Sequence, residues 1–265
     1  MTRIDRIQLT YKLTFKTPFH MGTGLRVGLI DRTIVRDHNN YLYVPGSTIK
    51  GVLREQCEQL AHLYEELDPD MDEAIASPHD DRKALWALGR YNQPTMITRI
   101  FGSQSSPGRL FFDDARQTED DKNRYDSPER GDQGRGKYKS LQTDLATQVR
   151  IDRLSRTAAS SALYTSEFGI KDLSFVGSIA GWLECTPIEA QPDSPTYSLL
   201  LLLTGLRLLE RIGGNKSTGK GQCRCEITNF ACGDKTYAEA DWKAWFNSLE
   251  ALSYYSSYGV VQEVE

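Results

Sequence analysis

The chain has 265 residues, 39% of them hydrophobic and 26% charged, with a formal net charge of −4. This composition excludes wholesale disorder, and the longest apolar run, Leu199–Leu203, is far too short to span a bilayer. The mild acidity gives no bulk attraction for nucleic acid, so a polyanionic partner must be met by local basic clusters or by partner subunits.

Along the chain, Ile4–Thr17 alternates loosely, placing Ile7, Leu9, Tyr11, Leu13 and Phe15 on one face of a half-buried strand. Pro18 ends it, and Gly22, Gly24 and Gly28 mark a long turn. Strands are expected at about 32–36 and 41–44, joined by Asp37-His38-Asn39-Asn40. Pro45-Gly46 opens a helix that Ser47 or Thr48 can cap, with Ile49, Leu53, Leu60 and Leu63 as its apolar stripe. The acidic, proline-broken stretch at 68–81 reads as a surface insertion. Arg109–Ala115 reads as one strand, and 117–139, almost without apolar residues, as a mobile loop. A mixed stretch runs from Val149 to Phe168. Phe175–Thr186 is a strand, Ser198–Ile212 an apolar helix, Gln222–Phe230 a last strand and Trp242–Leu252 a terminal helix. With the loops removed, the order strand, helix, strand, strand, helix, strand is that of an α+β, ferredoxin-like (RRM-like) core, a fold that by itself decides no function.

The strongest chemical motif is Ile212-Gly-Gly-Asn-Lys-Ser-Thr-Gly-Lys-Gly-Gln222, with four glycines around two lysines, a serine and a threonine. Glycines let the backbone approach a phosphate, free N–H groups donate to it, and Lys216 and Lys220 add charge. A nucleotide-binding P-loop nearly fits, but Gly221 stands where a magnesium-holding Ser or Thr belongs, and the loop runs helix-to-strand rather than strand-to-helix. A plain glycine-rich turn is the other reading. Lys50 and Arg54 share one helical face near a helix start, a seat for backbone phosphates or simply a solvated face. Five cysteines, an odd number, and a start without an apolar leader favour reduced thiols in a cytoplasm. Cys57 and His62 lack the second cysteine of a structural zinc site, so no structural zinc is expected. His38, His62 and His79 read as surface residues.

The glycine-rich loop resembles the C-terminal loop of the RAMP superfamily, the RNA-binding proteins of CRISPR systems. Further stretches, in the expected order, are similar to that family's backbone subunits of type III effector complexes. They are Pro18-Phe-His-Met-Gly-Thr-Gly24, Gly28–Asp37 running into Tyr43-Val-Pro-Gly-Ser-Thr-Ile-Lys-Gly-Val-Leu-Arg54, Ile100-Phe-Gly-Ser103 with Gly108–Ala115, and Val149-Arg-Ile-Asp-Arg153. Together they span roughly residues 4 to 230.

The resemblance implies a single domain over 1–265, with insertions at about 65–98 and a flexible thumb-like β-hairpin at about 117–168. It implies a protein that binds CRISPR RNA and a complementary target RNA and assembles with backbone, large and small type III subunits, with no membrane partner. Asp31 matches the aspartate with which active subunits cut target RNA, using Mg2+ or another divalent cation that Asp31 itself would help hold. RNA contacts are expected from His20, Gly22, Lys50, Arg54, Arg153, Gly213, Gly214, Lys216, Ser217, Gly219 and Lys220. Without the resemblance Asp31 is a turn-former, as Asp37 is. Two alternatives remain open: a non-catalytic structural subunit, and a RAMP-type endonuclease that processes guide RNA.

Overall fold

In the computed structural model the residues described are 3–64, 95–103, 107–126, 142–189 and 194–254. The expected insertion at 68–81, His79 and the charged stretch beyond Asp126 up to Leu141 lie outside them.

Strand β1 (Arg3–Phe15) is the axis of the fold. Its alternation holds through the strand, and Ile7, Leu9, Tyr11, Leu13 and Phe15 are all fully buried. It pairs antiparallel on one side with β7 (Ser174–Cys185), from Arg3 opposite Cys185 to Thr14 opposite Ser174. On the other side it pairs with β8 (Cys223–Cys232), with a bulge between Thr10 and Tyr11. Short strands complete a seven-stranded sheet: β2 (Tyr43–Val44), β3 (Leu110–Phe112), β4 (Ala115–Gln117) and β9 (Lys235–Thr236). Its order is β2-β4-β7-β1-β8-β9, with β3 also paired to β7.

Two helices cover the inner face. Helix α1 (Gly46–Tyr64) buries Ile49, Leu53, Cys57 and Leu60, while Leu63, expected in its stripe, points to solvent. Gly46 is already helical, so Ser47 and Thr48 sit inside the first turn, and the Gly46 N–H is capped by the Asp114 carboxylate at 2.9 Å. The apolar helix α4 (Tyr197–Arg207) is shorter than expected and buried on every side. It meets α1 closely because Gly205 has no side chain: a Cβ there would lie 2.5 Å from the Cys57 sulfur. Between them in sequence come α2 (Met96–Phe101) and α3 (Glu119–Asp126), the latter within the stretch read as a mobile loop. Helix α5 (Glu239–Ala244) and a 3-10 segment (Trp245–Tyr254) replace the single terminal helix and pack Trp242, Trp245 and Leu252 into the core.

Two strand expectations change. The expected strand at 32–36 makes only isolated bridges, at Arg32, Ile34 and Arg36, because each meets a different segment, Ser166 of β6, Gly22 and Leu42, rather than one continuous strand. The expected strand Arg109–Ala115 is broken at Asp113-Asp114, where the carboxylate of Asp113 accepts from Ser178 and that of Asp114 caps α1. The mixed stretch proves to be a regular antiparallel hairpin, β5 (Thr143–Ile151) and β6 (Ala158–Gly169), forming a sheet of its own.

Candidate nucleic-acid interface

Where β1 ends, Phe15 stacks on Phe19 with ring centroids 3.9 Å apart, and Phe175 meets both edge-on. This aromatic seat fixes the course of the first glycine turn. The second glycine-rich loop, two hundred positions later, is stitched to the same segment by four hydrogen bonds. The Lys16 N–H donates to the Gln222 carbonyl (2.7 Å), and the Gln222 N–H to the Thr17 hydroxyl (3.0 Å). The Gly221 N–H donates to the Pro18 carbonyl (2.8 Å), and the Gly214 N–H to the His20 carbonyl (2.8 Å). The two motifs therefore form one surface.

Glycine is required at the contact. Gly213 has φ +95°, and a Cβ on it would stand 2.5 Å from the His20 carbonyl oxygen. Asn215, at φ +62°, supplies another left-handed step before the 3-10 turn Lys216–Thr218. Ser217 and Gly219 lie exposed on that turn. Lys216 lies 3.5 Å from Glu55 on α1, a half-exposed pair worth little in water. Lys220 stands over the Phe168 ring at 5.2 Å.

His20 is buried beneath this junction. Its Nδ1 lies 2.7 Å from the Glu167 carbonyl oxygen, which can only accept, so Nδ1 carries the proton and Nε2 is left as an acceptor. Gly22 passes directly over Nε2; a Cβ there would come within 2.9 Å of it.

His20, Gly22, Gly24, Leu25, Asp31, Arg32 and Thr33 line a cleft of about 430 Å³. Asp31 belongs to a small hairpin turn tied to β6. Its N–H donates to the Thr165 carbonyl, and the Thr165 N–H returns a bond to Oδ2, both at 2.9 Å. Oδ1 faces the Nε of the exposed Arg26 at 3.3 Å. The same hairpin is locked by Glu167, whose carboxylate accepts from the Ile34 N–H (3.0 Å), Arg36 (2.7 Å) and the Thr143 hydroxyl (3.0 Å). Burial pushes that carboxyl up, but the Ile34 N–H and Arg36 outweigh it and hold it below the usual carboxylate range.

Lys50 and Arg54 line a neighbouring cleft of about 540 Å³ with Phe101, Gly102, Ser103, Pro107 and Gly108. They do share one helical face, but Arg54 is committed at 2.8 Å to Glu58, which is buried. Lys50 is the freer cation, 5.9 Å above the Phe112 ring. Arg153 is not drawn into this region. It sits exposed at the tip of the β5–β6 hairpin, in a turn that Asp152 closes by accepting the Leu154 and Ser155 N–H groups. Asp37 is the turn-former expected, accepting from the N–H groups of Asn39 and Tyr41. All five cysteines are buried free thiols, and burial pushes those of Cys223 and Cys225 up to about 12. No described helix is long and apolar enough to cross a membrane.

The residues missing from the sequence reading are Glu167, Thr165, Arg26 and Arg32. Glu167 and Thr165 act on partners more than a hundred positions away, so no local spacing marks them. Arg32 lies inside the motif that flagged Asp31 and was legible there, whereas Arg26 falls between the two glycine motifs and belongs to neither.

An antiparallel sheet backed by helices, with two stitched glycine turns at one end that carry Lys216 and Lys220, defines a scaffold suited to holding a phosphate backbone. The RAMP superfamily model matches residues 12–224, and the chain belongs to that superfamily. It is 24% identical over 252 residues to the CRISPR system Cms endoribonuclease Csm3 of Methanocaldococcus jannaschii, covering 91% of this chain and 87% of that protein. Its fold is also similar, with a TM-score of 0.50 and 12% identity, to a chain of the type III-B Cmr-beta complex bound to cognate target RNA; the match covers 83% of this chain and 96% of that one.

Proposed function

We propose that this protein is a backbone subunit of a type III CRISPR effector complex that coats the guide segment of a CRISPR RNA and cuts the paired target RNA at Asp31. The observation that carries the reading is the single surface formed by the two glycine turns, with the Asp31 cleft opening beside it. The scaffold reads as a ferredoxin-like core in one domain, and the β5–β6 hairpin as its thumb. Base pairing between guide and target supplies sequence specificity, while this chain reads backbone and shape.

In this reading the guide phosphates meet Lys216, Lys220 and the exposed turn at 217–219, with Lys50 a further cation on α1. The target strand crosses the cleft. Asp31 is fixed on one oxygen by the Thr165 N–H and held on the other only by an exposed guanidinium that can swing away. One carboxylate with phosphate oxygens and water is a fitting donor set for Mg2+, which binds through few protein ligands. A divalent cation held there would stabilise charge on the phosphoryl oxygens. Attack by the neighbouring 2′-hydroxyl with loss of the 5′-oxygen leaves a 2′,3′-cyclic phosphate.

Sequencing the RNA that copurifies with the protein from its native host tests the assignment. Guide-repeat sequences are the expected result, and bulk cellular RNA without them contradicts it. His20 lends weight to a second reading, a guide-processing nuclease, because its Nε2 acceptor faces the same cleft as Asp31. Cleavage of precursor guide that survives EDTA and is lost in His20→Ala would select it.

A further inference from the structure

Among the described residues, helices cover the inner face of the seven-stranded sheet and leave residues of the outer face exposed. On the outer face β1 presents Arg6, Gln8, Thr10 and Lys12, and β7 presents Val176, Ser178, Ala180 and Trp182. Trp182 is 52% exposed and Phe111, on β3, 68%. The register sets Phe111 opposite Ala180 and Trp182 opposite Arg6, so the two rings are diagonal neighbours on one face, roughly 7–8 Å apart. Arg109, two residues before Phe111, emerges on the same side by alternation.

The charges on this face are not balanced in kind. Glu184 is paired with Arg99 at 3.3 Å, Glu226 with Arg224 at 2.8 Å, and Asp113 accepts from Ser178. Arg6, Lys12 and Arg109 have no such partner among the described residues. Two exposed aromatic rings flanked by unpaired cations complement a single-stranded polyanion with stacking bases.

We propose that this outer sheet face is a second, sequence-indifferent binding surface for single-stranded RNA, with Phe111 and Trp182 as stacking platforms and Arg6 and Arg109 as phosphate contacts. It is separate from the glycine-loop surface. Trp182 lies across from Arg6, while the glycine loop is stitched to residues just past Phe15, roughly 30 Å further along the sheet at about 3.3 Å per residue. It serves a stretch of RNA that has left the guide-binding end, and it does not depend on Asp31 being catalytic.

The test uses the full chain carrying Lys216→Ala and Lys220→Ala, so that the glycine loop contributes little. Binding of a short fluorescein-labelled oligouridylate is followed by anisotropy across a salt series. Residual affinity is expected to fall about tenfold in Trp182→Ala and to recover in Trp182→Phe, since any aromatic face stacks a base. Arg6→Ala should lower the slope of log affinity on log salt by about 0.7. No residual binding in the double-lysine chain, or residual binding indifferent to Trp182→Ala and Phe111→Ala, overturns the proposal. A Trp182→Phe chain as weak as Trp182→Ala overturns it too, because the loss would then come from packing and not from stacking. Folding is not at risk at these exposed positions, and the thermal melt of each variant checks it.

Discussion

Asp31, His20 and Gly22 meet in one cleft, and the proposed chemistry rests on them at the scale of single residues. Gly22 leaves His20 Nε2 open to the cleft, and a branched side chain there would both collide with the ring and cover it. Gly22→Val should therefore reduce RNA affinity at least tenfold while the protein still folds, because the residue is exposed. Titration of the variant with guide RNA, beside its thermal melt, checks this; unaltered affinity would show that the Nε2 face is not used. Asp31 was found in the sequence by its place between Gly28 and Asp37, and Asp37 itself forms the turn expected of it, accepting two local N–H groups. What could not be read is that Asp31 is oriented by Thr165, because a strand residue so far away leaves no trace in local spacing.

Elements act here through two clasps. The first is Glu167, which ties the β5–β6 hairpin to the turn carrying Asp31. Since its folded pKa lies below that of the unfolded chain, the stabilisation is fully present above the unfolded value of about 4.3 and is lost as pH falls through the folded value. Glu167→Gln, which cannot ionise, should lower stability near neutral pH by about 1–3 kcal/mol and flatten the acid limb. Denaturant melts at a series of pH values from neutral into the acid range measure both; an unchanged acid limb would show that Glu167 contributes nothing. The second clasp is the glycine loop. Replacing Lys216 and Lys220 with Ala should reduce the salt dependence of RNA affinity by about 0.7 log units per lost contact. An unaltered slope would mark the lysines as merely solvated. At this scale β1, β7, β8 and α1 were legible because their apolar periodicity matches one buried face. The segment 32–36 misled because it alternates as a strand does while its partners are single residues of a turn and of β6. A β-hairpin in this region was expected from the resemblance alone; strands β5 and β6 could not be read from the residues because both faces are largely wet, with Leu145, Val149, Ile151 and Leu163 exposed, so hydrophobic alternation carries no signal there.

For the whole molecule, the proposed function divides holding RNA, at the glycine junction of distant segments, from cutting it, at Asp31. Gly214→Val crowds the approach of the loop to His20: its Cβ would stand 3.4 Å from the ring, in contact already, and leave no room for the two methyls beyond it. It should impair guide loading before any chemistry, whereas Asp31→Ala should leave the loop untouched. The most direct measurement is made on the complex reconstituted with Asp31→Ala, quantifying bound guide RNA and target cleavage together. Guide content and target affinity within about twofold of the unaltered complex, with cleavage next to this subunit abolished, is the expected result, because a group that acts only in the transition state changes rate and not ground-state binding. Undiminished cleavage, or loss of the guide RNA, would contradict a catalytic role for Asp31.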